Sequence, residues 1–143
     1  MKIIIGSDHA GFDLKSECVN HLKNELNIEV NDIGVYDKSS ADYPLLAHKV
    51  SKALSEGEYE RGVLICGSGV GMAMAANRHK GVRAALCHNI YTARMSRMHN
   101  DANVLTMGER ITGKGLALEI LENFLNTPFE GGRHKKRVDQ IDL

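Results

Sequence analysis

The stretch VLICGSGVGM, Val63 to Met72, decides how this chain folds. An apolar run of strand length, Val63-Leu64-Ile65, ends on Cys66 and meets three glycines, Gly67, Gly69 and Gly71, spaced two apart. Such a run, stopped by residues that permit a sharp change of direction, reads as a strand-to-helix turn. Similar runs stand at Ile3–Ile5, Ile28–Ile33, Val82–Cys87 and Val104–Met107, each bounded by Gly, Asp or Asn. Between them Leu14, Cys18, Leu22 and Leu26 recur every four residues, as do Leu46, Val50 and Leu54, which sets each group on one helix face. A further helix around Gly115–Leu125 carries Leu116, Ile120 and Phe124, and Pro128 opens a polar tail. Strands alternating with helices predict an α/β fold with a five-stranded parallel sheet. Residues 1–143 are expected to form a single domain, with the tail 128–143 contributing to a site or to a subunit interface.

Composition narrows the partners. The 143 residues are 43% hydrophobic and 25% charged, with 18 basic against 18 acidic side chains, so the formal net charge is zero. A chain so balanced has no global attraction for nucleic acid or a membrane surface, and any ligand must be drawn by local charge. The apolar start, Met1 to Gly6, is too short for a signal peptide or a membrane span, which predicts a cytoplasmic protein. Three cysteines, Cys18, Cys66 and Cys87, lack paired spacing and read as free thiols. The seven histidines contain no His-x-x-x-His pair and no cysteine cluster of ligand spacing, so no metal site is expected. His21, His48 and His79 read as surface positions on helices.

In an open parallel sheet, ligands sit outside the carboxyl ends of the strands. The loops to read are therefore Ser7-Asp8-His9-Ala10-Gly11, Gly67-Ser68-Gly69-Val70-Gly71, His88-Asn89 and Gly108-Glu109-Arg110. The glycine loop suits an anion, because its backbone N–H groups can approach closely. A Walker A loop would need a lysine, which is absent from Gly67 to Met72; G-x-G-x-x-G would need glycine where Met72 stands; a C-x5-R loop would need arginine there. What remains is a thiol at the mouth of an anion-binding turn, where N–H dipoles favour the thiolate and make Cys66 a base or nucleophile. The other reading is a small buried hydrophobe closing a strand. Further along, His9 and His99 adjoin small polar residues at element ends, where a histidine exchanges protons near neutral pH. Arg133 and Arg137 lie four apart, either in a solvated tail or, if the tail is helical, as a clamp for phosphate. Tyr43 begins a helix and either stacks on a ligand or packs.

The segments GSDHAG (6–11), DYP (42–44), ICGSGVGM (65–72), HNDANVL (99–105) and EGGRHKKRV (130–138), in this order, resemble type B ribose-5-phosphate isomerase. The wider family includes subunits of galactose-6-phosphate isomerase and allose-6-phosphate isomerases. The resemblance spans essentially the whole chain. It implies a three-layer Rossmann-like (flavodoxin-like) sandwich, working as a homodimer or homotetramer with sites shared between subunits. It also implies reversible interconversion of ribose 5-phosphate and ribulose 5-phosphate in the pentose phosphate pathway, without metal or organic cofactor. By the same resemblance Cys66 is the base and His99 helps open the furanose ring. Asp8 and His9 bind substrate, Gly67 to Gly71 hold the enediolate oxygens, and Asn100, Arg110, Arg133 and Arg137 make the remaining sugar and phosphate contacts. Some members use a glutamate in place of the cysteine; no acid stands between Gly67 and Met74, so this chain resembles the cysteine type. Two other activities fit the same residues: isomerisation of a hexose 6-phosphate, and non-catalytic sensing of a sugar phosphate, against which an activated thiol argues.

Overall fold

Alternation along the strands sorts the apolar side chains into two cores. In the computed structural model, which describes residues 1–143, five parallel strands form one sheet: β1 (Lys2–Ser7), β2 (Glu29–Asp32), β3 (Arg61–Cys66), β4 (Ala84–Leu86) and β5 (Val104–Gly108). Side chains of successive strand residues point to opposite faces. Ile3, Ile5, Val63, Ile65, Leu105 and Met107 therefore enter one core, while Ile4, Leu64, Cys66 and Val104 enter the other. Helices α1 (Phe12–Asn20), α4 (Ile90–Asn100) and α5 (Lys114–Asn126) cover the first face; α2 (Tyr43–Ser55) and α3 (Val70–Ala76) cover the second. The result is the three-layer Rossmann-like sandwich that the alternating runs and the resemblance predict. No helix is long and apolar enough to cross a membrane.

The strand order is β2-β1-β3-β5-β4. From β1 the chain moves outward to β2, then returns through α2 to β3 on the other side of β1. The loops after β1 and β3 thus diverge and leave a crevice between them, the switch point where such sheets bind ligands. Registers Ser7↔Ile65 and Cys66↔Gly108 bring the ends of β1, β3 and β5 level, so their three loops meet.

Some details depart from the periodicity. Leu14, Cys18 and Leu22 are buried as their spacing predicts, but the helical hydrogen bonding widens to a π-type turn over His21–Glu25, and Leu26 only caps it. In α5 the buried face is Ala117, Ile120, Leu121 and Phe124; Leu116 is exposed, because a helical stripe rotates past it. His79 is not on a helix: α3 ends at Ala76, and His79 lies in the following turn, where its Nε2 meets His48 Nδ1 at 2.8 Å. The tail carries a short helix, α6 (Arg133–Val138), which buries His134 and leaves Arg133 and Arg137 exposed.

Candidate active site at the sheet's switch point

Three loops close around one cleft of about 510 Å³. After β1, Asp8 is buried and its Oδ1 accepts the N–H groups of Ala10 (3.0 Å) and Gly11 (3.2 Å), which folds the loop into a tight 3-10 turn. Gly11 is required there: a Cβ would stand 2.6 Å from the carbonyl oxygen of Ile65. His9 accepts the Ala41 N–H on Nδ1 at 3.2 Å. In the neutral ring that bond assigns the proton to Nε2, leaving His9 a donor for a ligand oxygen.

After β3, Cys66 forms the floor of the cleft. Its Sγ accepts the N–H of Gly69 at 3.1 Å. Gly69 turns the loop in the left-handed region (φ 79°), where a Cβ would also strike Leu86 and the Met107 backbone. The other two thiols differ. Burial pushes the Cys18 thiol up to about 12, with the Glu17 carboxylate adding to it, and burial raises Cys87 as well. Neither titrates near neutral pH, and neither lines the cleft.

After β5, the strand ladder continues into the loops. Glu109 N–H donates to the Cys66 carbonyl (3.0 Å) and Arg110 N–H to that of Gly67 (3.1 Å). Arg110 lies over Gly67, its Nη1 3.2 Å from where a Cβ would stand. A Cβ on Gly108 would fall 2.5–2.7 Å from the Ser68 backbone, which cannot yield without shifting the glycine loop. Gly108→Ala is therefore expected to cost about 1–3 kcal/mol, as overpacking does. Urea unfolding checks this, and an unchanged midpoint would show the loop to be pliant. Tyr43, first residue of α2, packs its ring on Gly71, where a Cβ would come within 2.5 Å, and its outer edge rims the cleft.

Of the residues predicted for the site, Asp8, His9, Tyr43, Cys66, Gly67, Ser68, Val70, Gly71 and Arg110 line this cleft, and Gly69 supports it from behind. Ala10, Met74 and Ile111 also line it; as apolar residues beside polar loops they carried no chemical signal. The loop after β4 does not contribute. Asn89 caps α4 instead, accepting the Thr92 N–H at 2.8 Å.

His99, Asn100, Arg133 and Arg137 are not in the cleft. α4 leaves the carboxyl end of β4 and runs back to the start of β5, so its last residues, His99 and Asn100, reach the amino ends of the strands. The tail docks there too, through Glu130 N–H to the Met98 carbonyl (3.1 Å) and Arg97 Nε to that of Thr127 (3.2 Å). A strand of six residues is roughly 20 Å long. Within one chain these four residues and Cys66 stand at opposite ends of the sheet.

The fold and its switch-point cleft place the chain in the Rossmann-like α/β class, with a ligand-sized cleft at the carboxyl ends of its strands. Residues 3–141 match the model of the ribose/galactose isomerase family. The chain belongs to that family, whose reactions are intramolecular oxidations and reductions of a sugar. It is 47% identical over 140 residues to ribose-5-phosphate isomerase B of Escherichia coli strain K12, covering 98% of this chain and 93% of that one. It is 38% identical to D-erythrulose-4-phosphate isomerase of Pectobacterium atrosepticum, covering 99% and 93%. The solved ribose-5-phosphate isomerase B of Clostridium thermocellum superposes with a TM-score of 0.96 at 51% identity, covering 99% of this chain and 95% of that one.

Proposed function

We propose that this protein interconverts D-ribose 5-phosphate and D-ribulose 5-phosphate through an enediolate, with Cys66 as the base and no metal or organic cofactor, as a cytoplasmic step of pentose phosphate metabolism. The observation that carries the reading is the thiol on the cleft floor, its sulfur held by one loop N–H while neighbouring loop N–H groups are free to meet a sugar oxygen. The Cys66 thiolate takes the proton from C2, and the electrons pass into the carbonyl, leaving negative charge on O1. Preorganised backbone donors stabilise such charge more than water does. The thiol then returns the proton to C1, while O2 gives up its proton as O1 gains one, and the ketose results.

The cleft holds one arginine, Arg110, against the buried carboxylate of Asp8. That is little positive charge for a phosphate, and no residue for ring opening is present beyond His9. We infer that a second copy of the chain supplies both: its His99 and Asn100 approach the ring, and its Arg133 and Arg137, four apart on α6, clamp the phosphate. Four apolar side chains around the cleft, Tyr43, Val70, Met74 and Ile111, are exposed in the single chain and fit burial against that copy. The tail 128–143 thereby belongs to the interface of a homodimer or a dimer of dimers. Arg137→Ala should raise KM for ribose 5-phosphate roughly tenfold or more, the cost of a charge-assisted hydrogen bond. An unchanged KM would assign this arginine to a solvated tail.

The test of the activity is incubation with ribose 5-phosphate in heavy water. Ribulose 5-phosphate should form and carry deuterium on carbon, because the thiol proton exchanges with solvent. Erythrose 4-phosphate and allose 6-phosphate run in parallel. Product from either of these, with none from ribose 5-phosphate, would replace ribose 5-phosphate as the substrate; binding without product from any would mark a sensor.

A further inference from the structure

The docked tail brings two ligating side chains of its own, Glu130 and His134, against a third, His99, from the end of α4. His99, on the last turn of α4, stacks on His134 of α6 with ring centroids 4.3 Å apart and planes 12° from parallel. Glu130, four residues before His134, reaches to 3.2 Å between its Oε2 and His134 Nε2. The donor atoms of all three lie within 4.8 Å of one another. His134 is only 7% exposed, and its Nε2 is buried without a hydrogen-bond partner, since the approach of Glu130 is at ion-pair distance but not aligned. A buried ring nitrogen in that condition is costly: as an N–H it needs an acceptor better aligned than Glu130, and with its lone pair free it is satisfied by a proton donor or a cation.

We propose that His99, Glu130 and His134 form a binding site for zinc or a similar borderline divalent ion, and that the bound ion inhibits the enzyme by withdrawing His99 from the substrate. Two imidazoles and a carboxylate are a donor set zinc accepts, with a fourth position left for water. Tetrahedral zinc spaces its donors about 3.3 Å apart, close to the His134–Glu130 separation. Completing the site requires the half-exposed His99 ring to turn out of its stack and the exposed Glu130 to swing inward. The backbone is already fixed: Glu130 N–H holds the Met98 carbonyl next to His99, and His134 N–H holds that of Gly131. The neighbouring guanidiniums of Arg133 and Arg137 oppose a cation, and the Glu130 carboxylate offsets part of that. An ion at this site would compete with the sugar phosphate, because it takes the His99 ring that the substrate needs. This inhibitory half rests on the ring-opening role proposed for His99; the binding half does not.

The test uses cobalt(II) as a visible probe on the full-length Cys66→Ala protein, which removes the one thiol in the cleft. One equivalent per chain should give the ligand-field absorption of a four-coordinate nitrogen–oxygen site. Glu130→Gln and His134→Phe, introduced separately, should weaken binding by more than the roughly 10–100-fold that loss of a second-shell partner costs. With the Cys66 protein, zinc should inhibit competitively with ribose 5-phosphate, and Glu130→Gln should relieve inhibition while leaving zinc-free turnover intact. Absorption that vanishes with Cys66→Ala, or that persists in both ligand variants, would overturn the site. Cobalt binding without zinc inhibition would overturn the inhibitory half. A separate His99→Ala assay then distinguishes the causes: normal turnover in that variant would mean that the reading of His99 had failed and not the metal site.

Discussion

Replacing Cys66 with alanine is expected to lower kcat for ribose 5-phosphate by about 10²–10⁴-fold, the contribution of a positioned base, with KM nearly unchanged. The substitution removes the group proposed to act on C2 in the transition state and touches nothing proposed to hold the phosphate. It also removes the acceptor of the Gly69 N–H, so loosening of the loop has to be separated from loss of the base. Cys66→Ser does this: the hydroxyl can keep the Gly69 bond but ionises far above neutral pH. Both variants should be inactive to a similar degree. A serine variant with near-normal turnover would return Cys66 to a packing role. Iodoacetamide gives an independent readout, for burial holds Cys18 and Cys87 protonated. Alkylation should fall on Cys66 first, and ribose 5-phosphate should protect it.

The second large effect belongs to His99. If it opens the furanose ring, His99→Ala should reduce turnover about 10²-fold at low enzyme concentration. Its signature is a ceiling. As the variant's concentration rises, the rate should stop increasing, because spontaneous ring opening in solution becomes the only supply of open-chain sugar. Cys66→Ala, by contrast, should stay slow in proportion to enzyme at every concentration. Proportionality in the His99 variant as well would move this histidine from ring opening to the enolisation step or to binding. The 38% identity to a D-erythrulose-4-phosphate isomerase sharpens the point. A four-carbon sugar phosphorylated on its last oxygen cannot close a furanose, so it makes no demand on this residue.

Much of this was legible in the residues because an open α/β sheet writes its plan as alternation. Each strand run stands where a strand forms, although Val82–Cys87 shrinks to Ala84–Leu86 on the sheet edge. The cleft residues were legible for a related reason: once the strands are known, the loops at their carboxyl ends are the ones to read. Asp8 and Tyr43 each have a structural role as well as a place in the cleft wall. Asp8 caps its turn and lines the cleft, and Tyr43 packs on Gly71 while rimming it. The α6 helix was harder to see, because its sequence RHKKRV has almost no apolar face and owes its place to His134 and to the Glu130–Met98 backbone bond. For the same reason no histidine spacing announced the cluster of His99, Glu130 and His134, which exists only once the tail has docked. Motif order also says nothing about which copy of the chain supplies a residue. That His99 and Cys66 lie at opposite ends of one sheet follows from the direction in which α4 runs, a property of topology.

The shared site is the claim on which the rest depends, and mixing two inactive variants tests it most directly. Cys66→Ala and His99→Ala chains, unfolded together in equal amounts and refolded, should give hybrid dimers in half of the population. Each hybrid pairs an intact Cys66 with an intact His99 at one of its two sites, so activity should return to about a quarter of that of the unaltered protein. A mixture no more active than its two components, with hybrids demonstrated by mass, would mean that Cys66 and His99 do not act across two chains and would contradict the shared site.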